Sequence, residues 1–179
     1  MSAVHVAFSK RPDGGSLADI DRGDGVRLRL RSFDRTGAVP HDAVHLIGER
    51  ALGMTRGLWG SIRAGALFAS VEIVGGRPRH DRRQRSERVR RENARELRLA
   101  ETVVGVLQGA IDQPGPAVKA ALDAAWGITE TGSAPFTADQ AATAVEELRT
   151  LRDRWRRLGA GETITYTWPE PRQRARRRR

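Results

Sequence analysis

The sequence predicts an α+β fold in which a small antiparallel sheet, built from N-terminal hairpins and a C-terminal strand, packs with about four to five helices. Alternating apolar and polar residues near both ends of the chain indicate the strands. Between them, apolar residues recur at three- and four-residue spacing, which is typical of amphipathic helices. The chain has 179 residues, of which 39% are hydrophobic, enough to bury one core. We therefore expect a single domain over residues 1–168, followed by a disordered basic tail over residues 169–179.

The first two strands are predicted from alternation and from turn residues. Val4, Val6 and Phe8 alternate with smaller or polar residues. The turn sequence Pro-Asp-Gly-Gly at 12–15 then leads into a second short strand over Ser16–Asp21. Together these segments predict a hairpin.

Three further strands are predicted by the same alternation. Residues 26–31 read Val-Arg-Leu-Arg-Leu-Arg, which indicates a strand with one buried face and one solvated face formed by its arginines. A ligand-binding surface is the alternative interpretation of this arginine row. Residues 70–74 predict another strand. Residues 163–168 alternate again and predict a closing strand that returns to the N-terminal sheet.

Proline and glycine mark the boundaries of the first helices. Pro40 starts a helix that runs to about Leu52, and Gly53 is its expected stop. A glycine-rich piece then leads into a short helix through Leu67 and Phe68.

Three more helices follow. The longest pattern runs over residues 84–111, and its second half carries a core-facing apolar stripe while its first half is almost wholly charged. The next helix is predicted over Pro116–Trp126, ended by Gly127. The last begins at Thr137, where Gln140 completes a capping box, and continues to about residue 158.

The net charge of +10 is concentrated in two arginine-rich segments. Residues 77–98 carry a net charge of +6 and residues 169–179 a net charge of +5, which leaves the rest of the chain close to neutral. We expect the start of the long helix, about residues 77–96, to be exposed. Both segments can bind nucleic-acid phosphates, or an acidic protein, without reading sequence. The candidate binding residues are Arg83, Arg88, Arg91, Arg174, Arg176, Arg177 and Arg178.

The basic helix also has a simpler interpretation. Glutamates interleaved with its arginines describe an ordinary solvated helix with local ion pairs. In addition, neither basic segment contains an interleaved aromatic residue, which removes base stacking as a source of affinity.

Several function classes are excluded by composition. The chain has no cysteine, which excludes disulfides, thiolate zinc sites and cysteine nucleophiles. Neither a glycine-rich phosphate loop nor a serine-elbow motif is present. No apolar run approaches the roughly 20 residues that a membrane span needs. We expect a cytoplasmic protein that does not associate with membranes.

The run His-Asp-Ala-Val-His at 41–45 is the segment that points to specific chemistry. Residues four apart lie on the same face of a helix, so His41 and His45 can share one metal ion. The two histidines therefore predict a divalent metal cofactor, and zinc is the first candidate. Because the chain lacks cysteine, any further ligand must be His, Asp or Glu.

The sequence does not identify the third metal ligand. Glu49 is the nearest candidate, since it lies on the same helix face as both histidines. Along a straight helix it is about 12 Å from His41, so all three can meet one ion only if Gly48 bends the chain. Glu72 and His80 are the other candidates.

Asp42 has two interpretations. It can be the catalytic base beside the metal, or a residue that orients a ligand. Alternatively, it is a first-turn carboxylate that stabilises the positive end of the helix dipole by about 0.3–1 kcal/mol.

The same segment resembles two families. His41-Asp42-x-x-His45 is similar to the His-Glu-x-x-His helix of zinc metalloproteases, in which both histidines bind zinc and the glutamate polarises water. It differs in having an aspartate, which is one methylene shorter. A stretch from about residue 31 to residue 66 also resembles a small bacterial family of uncharacterised proteins with a Pro-His-Asp-x-x-His segment. That resemblance implies that His41, Asp42, His45, Glu49 and Trp59 belong to one local unit.

Two hypotheses of function follow from these observations. The first is a metal-binding domain, with possible hydrolytic activity, whose ligands are His41, His45 and Glu49 or a distant carboxylate. The second is a protein that binds nucleic acid or an acidic partner through its arginine-rich helix and tail.

Overall fold

The computed structural model describes residues 3–32 and 37–169. Over these residues the chain forms five strands and six helices. The strands are β1 (Val4–Lys10), β2 (Ser16–Asp21), β3 (Val26–Ser32), β4 (Val71–Gly76) and β5 (Ile164–Trp168). The helices are α1 (His41–Ala51), α2 (Leu58–Ala64), α3 (Arg82–Glu92), α4 (Ala94–Gly109), α5 (Gly115–Thr129) and α6 (Ala138–Arg157). The predicted α+β class is confirmed, with one helix more than the upper number expected.

The strands form one antiparallel sheet in the order β4-β3-β2-β1-β5. β1, β2 and β3 are successive neighbours. β5 returns from the far end of the chain and pairs with β1, so that Val4 lies opposite Trp168 and Phe8 opposite Ile164. The predicted N-terminal hairpins and the predicted closing strand are therefore confirmed.

One face of the sheet is buried by helices and the other is polar. Phe8 and Leu28 point into the core and are fully buried, as the alternation of side chains along a strand requires. On the opposite face, Arg29 of β3 forms an ion pair with Asp19 of β2 at 2.8 Å. The polar face predicted for β3 is therefore present.

Helix α1 lies at the centre of the helical layer, where it packs against both α4 and α6. It begins directly after Pro40 and is followed by Gly53 at a φ of +72°, as predicted. All residues from 43 to 49 are buried. A helix that is enclosed on every side places its polar side chains inside the protein, and this burial determines the environment of His45.

The long helix predicted over residues 84–111 is in fact two helices, α3 and α4, which meet at Asn93. The Asn93 side chain is buried and bridges other segments: its amide nitrogen donates to Ser61 Oγ at 2.9 Å, and its oxygen accepts from Arg56 Nε at 2.7 Å. An apolar periodicity cannot reveal such a break, because the side chain of Asn93 is hydrogen-bonded to residues that are distant in sequence.

Two other helix boundaries also differ from the prediction. The short helix α2 ends at Ala64, since Gly65 adopts a left-handed conformation at a φ of +106°, and Phe68 therefore lies outside it. α5 continues through Gly127 to Thr129. A glycine inside a helix costs only about 1 kcal/mol, so it does not force a stop. The capping box of α6 is confirmed, since Thr137 Oγ1 accepts from the Gln140 N–H and Gln140 Oε1 from the Thr137 N–H.

Among the described residues, none of the helices combines the length and the apolar character that crossing a lipid bilayer requires. The predicted basic tail, with Arg174, Arg176, Arg177 and Arg178, lies outside the described residues apart from Pro169.

Candidate metal centre

His41 and His45 occupy the first two turns of α1 and face the same side, as their spacing predicts. Their ring centroids are 4.8 Å apart, and the planes meet edge to face at 72°. The His41 side chain is one-third exposed, whereas that of His45 is 1% exposed. One histidine therefore faces the solvent and the other the protein interior.

Glu101 of α4 completes a cluster with the two histidines. Its Oε1 atom lies 3.4 Å from His45 Nε2, and its Oε2 atom lies 4.0 Å from His41 Nε2. One ligand atom from each of the three side chains lies within 4.8 Å of the others. In the described part of the chain, no other group of three His, Asp or Glu residues meets this criterion. The structure thus brings together two predicted ligands and a third that the sequence did not indicate.

The close packing of α1 on α4 is what brings Glu101 to the histidines. Gly48 faces α4, and a Cβ atom at that position would lie 2.6 Å from Leu107 Cδ1. Because a contact that short is not tolerated, the absence of a side chain at Gly48 permits the short distance between the two helices.

Glu49, the third ligand expected from the sequence, lies on the other side of the His45 ring. Its Oε1 atom is 3.0 Å from His45 Nδ1 and also accepts from the Leu58 N–H at 2.7 Å. Its Oε2 atom accepts from the Trp59 N–H at 3.2 Å. The expectation that Glu49 joins His41 and His45 as the third ligand is therefore corrected. Glu49 contacts His45 from the Nδ1 side and accepts the N–H groups at the start of α2, whereas Glu101 lies within the cluster of the two histidines. α1 does not bring Glu49 to the Nε2 side, because both of its oxygens are held by α2.

The other predicted residues lie as follows. Glu72 belongs to β4 and forms an ion pair with Arg31, and His80 lies in a surface recess at the start of α3, so neither joins the cluster. Asp42 is in the first turn of α1, as expected. Its main-chain oxygen accepts from Trp59 Nε1 at 2.9 Å, and the residue lines the cleft in front of the cluster.

The pKa values of the cluster depend on burial and on mutual hydrogen bonds. Burial acts to lower the pKa of His45, but hydrogen bonds with Glu101 and Glu49 outweigh it and raise that pKa to about 9. Burial also raises the pKa of Glu49, although His45 and the N–H groups of Leu58 and Trp59 oppose it. The hydrogen bond with His45 lowers the pKa of Glu101, against the effect of burial. The contacts with Glu101 and Glu49 therefore favour the protonated form of His45 in the metal-free protein.

The cluster faces an open cleft of about 330 Å³. Glu101 is 64% exposed at its side chain, so solvent reaches the point where the three ligand atoms converge. Apolar side chains from Leu30, Leu58, Phe68 and Leu97 form most of the wall, and Arg98 contributes a cation. The three side chains could therefore hold a metal ion on a side that solvent reaches.

The predicted nucleic-acid-binding arginines of α3 are all exposed. Arg88 forms an ion pair with Glu92 at 4.0 Å, the local pairing of the simpler interpretation. Arg83 lies in the same recess as His80, away from the cleft. Arg91 lies in a groove next to the cleft, together with Arg90 and Phe68.

Two residues of this region were missed by sequence reasoning. Glu101 lies four residues after Leu97, at the border of the apolar stripe of α4. A carboxylate in that position is the sequence feature from which a third ligand could have been suspected. Phe68 lies well outside the basic segment in sequence, and no pattern indicated that it meets the arginines of α3.

Comparison with known proteins found no match: no family model, curated protein or solved structure is significantly similar to the chain. What the site binds is therefore inferred from its own residues and geometry.

Proposed function

We propose that the protein binds one divalent metal ion, with zinc as the best fit, through His41 Nε2, His45 Nε2 and a Glu101 oxygen. The observation that carries this proposal is the convergence of these three ligand atoms within 4.8 Å. Imidazole nitrogen and carboxylate oxygen bind zinc at about 2.0–2.2 Å in a tetrahedron. Such an ion separates its ligand atoms by about 3.3–3.6 Å. The distance of 3.4 Å between His45 Nε2 and Glu101 Oε1 already falls in that range, whereas His41 Nε2, at 4.0 Å from Glu101 Oε2, would have to move closer to bind the same ion.

Glu49 supports the proposal in a second way. Both of its oxygens accept main-chain N–H groups, so it acts as a carboxylate towards His45 and Nδ1 is the donor. Once Nε2 loses its proton, which the raised pKa of His45 opposes in the metal-free protein, its lone pair is available to the ion while Nδ1–H stays with Glu49. Histidine ligands of metal sites commonly donate their second N–H to a carboxylate, which orients the ring.

The proposal is tested by metal content and affinity. Protein purified without an affinity tag and dialysed against zinc is expected to hold one equivalent, measured by elemental analysis and calorimetry. His41→Ala and Glu101→Gln remove ligands from partly exposed positions and should each weaken zinc binding at least tenfold. His80→Ala is the matched control, because His80 lies outside the cluster. If the wild type holds no more metal than the His41→Ala/His45→Ala double variant, the cluster is only a buried ion network.

We further propose hydrolytic activity at this site, with Asp42 as the general base. The open side of the cluster and the position of Asp42 in the same cleft support it. A zinc ion held by His41, His45 and Glu101 would lower the pKa of water to near 7, and Asp42 as general base would contribute about 10²- to 10⁴-fold in rate. Asp42→Asn should therefore lower kcat on an activated ester or phosphoester by at least 100-fold without changing zinc content. Equal rates in the two proteins would exclude this role of Asp42.

A further inference from the structure

The cleft in front of the metal cluster adjoins a second recess, with which it shares two lining residues. This recess has a volume of about 480 Å³ and lies between the end of α3 and the start of α4. Phe68 and Leu97 line both the cleft and this recess. We call the two cavities together the α3–α4 groove. Its total size falls within the range of ligand-binding pockets, about 300–1,000 Å³.

Three arginines line this groove, and one carboxylate, Glu87, lies at its far end. Arg98 lies at the metal end, and Arg90 and Arg91 lie at the far end. All three are exposed, and none forms an ion pair with a carboxylate of the described residues. Arg91 is the penultimate residue of α3 and Arg98 lies in the second turn of α4, so the two cationic ends belong to different helices.

An aromatic side chain, Phe68, lines both recesses of the groove. Phe68 is half-buried, with the guanidinium of Arg90 5.8 Å from its ring centroid. The segment that carries it is held against α3, because Ser86 Oγ accepts from the Leu67 N–H at 2.8 Å and donates to the Leu67 oxygen at 3.2 Å. Stacking of a base on such a ring strengthens single-strand binding and tolerates any sequence.

We infer that the α3–α4 groove binds a short single-stranded oligonucleotide, with phosphates at Arg98 and at the Arg90/Arg91 end and a base against Phe68. The inference rests on the proposed metal site, because a divalent cation held by His41, His45 and Glu101 would offset the charges of Glu101 and Asp42 and favour a phosphate at this end of the groove. A duplex is too wide to reach the recessed His45, which is 1% exposed. Arginine suits this role because its planar guanidinium binds phosphate through two donors.

Anisotropy of a fluorescein-labelled thymidine hexamer tests the inference with the full chain, zinc-loaded and zinc-free. Arg90→Gln/Arg91→Gln is expected to weaken binding at least tenfold and to reduce the slope of log K against log salt by about 1.4. Phe68→Leu should weaken binding at least fivefold. Arg83→Gln/Arg88→Gln removes the same charge from the same helix outside the groove, and should change binding less than threefold.

The zinc content of each protein is measured in parallel, so that the two proposals can fail separately. A protein without zinc overturns the proposed metal site. A zinc-loaded protein that binds inorganic phosphate but not the hexamer, prefers a duplex, or responds equally to both double variants overturns the oligonucleotide inference alone.

Discussion

Glu49 Oε1 lies 3.0 Å from Nδ1 of His45, one helical turn apart inside α1, with both side chains almost fully buried. The same carboxylate accepts the first two N–H groups of α2. One side chain thus orients a candidate metal ligand and caps the next helix. Because the capping oxygens cannot move without breaking α2, the His45 ring is held with Nε2 towards Glu101.

Glu49→Gln is expected to weaken zinc binding by about 10- to 100-fold although Glu49 is not a ligand in the cluster. The amide keeps one acceptor oxygen but turns an N–H towards either His45 or the start of α2. Calorimetry with zinc measures the change. Glu96→Gln on α4 is the control, since Glu96 pairs with Arg56 away from the cleft. Equal zinc affinity in Glu49→Gln and wild type would contradict the orienting role.

Gly57→Ala should destabilise the protein through the same carboxylate. A Cβ atom at Gly57 would lie 2.4 Å from Glu49 Cδ and 2.6 Å from both oxygens. Because Glu49 is enclosed, the added methyl displaces it from α2 and from His45, at a cost of about 1–3 kcal/mol in the free energy of unfolding. Urea denaturation measures this. Gly127→Ala in α5 has open space around the new methyl and should be neutral or stabilising.

The stability of the metal-free protein should fall as the pH rises from about 6.5 to above 9. The carboxylates around His45 raise its pKa from 6.5 to about 9. A histidine whose pKa is higher in the folded state stabilises the fold fully below the unfolded pKa, and that stabilisation is lost as the pH rises through the folded one. The loss is on the order of 3 kcal/mol. Urea unfolding in EDTA at several pH values measures it.

Two observations separate this titration from others in the chain. The NMR signal of the His45 ring should titrate near pH 9, and it is assigned by its disappearance in His45→Gln. The His45→Gln variant should lose the fall in stability that the wild type shows between about pH 6.5 and pH 9. A His45 ring that titrates near 6.5 would contradict the prediction.

The sequence predicted the strands and helices correctly where the periodicity of apolar residues reflects which side chains are buried. Strand β3 and helix α1 both follow from local alternation or spacing, and the same spacing places His41 and His45 on one face. The third member of the cluster could not be predicted in this way. Glu101 lies 56 residues after His45, and only the packing of α4 on α1 brings the two together.

Glu49 shows the limit of reasoning from one helix. Its spacing correctly placed it beside His45, but the ring has two nitrogens, and a position on the helix face does not say which nitrogen a carboxylate meets. The N–H groups at the start of α2 decide this, and they come from a later segment. Phe68 was missed for the same reason, since its contact with α3 depends on a tertiary hydrogen bond through Ser86.

Gly48→Ala tests whether the distance between α1 and α4 controls the cluster. The new methyl would lie 2.6 Å from Cδ1 of Leu107, which is fully buried and has little room to move. The helices must separate by some tenths of an ångström or Leu107 must adopt another rotamer, and we expect a loss of about 1–3 kcal/mol in stability. Separation also moves Glu101 away from the histidines, so zinc binding should weaken together with stability.

Gly105→Ala is the matched control for this change. Gly105 lies on the same helix as Leu107, is exposed and has nothing within 4 Å of the added methyl. Alanine is the better helix former by about 0.8–1.0 kcal/mol, so this variant should be more stable than wild type and bind zinc equally well. Thermal unfolding measures the stability of both variants, and calorimetry measures their zinc affinity. If Gly48→Ala loses stability but keeps full zinc affinity, Leu107 has repacked without moving α4, and the interhelical distance does not set the geometry of the site.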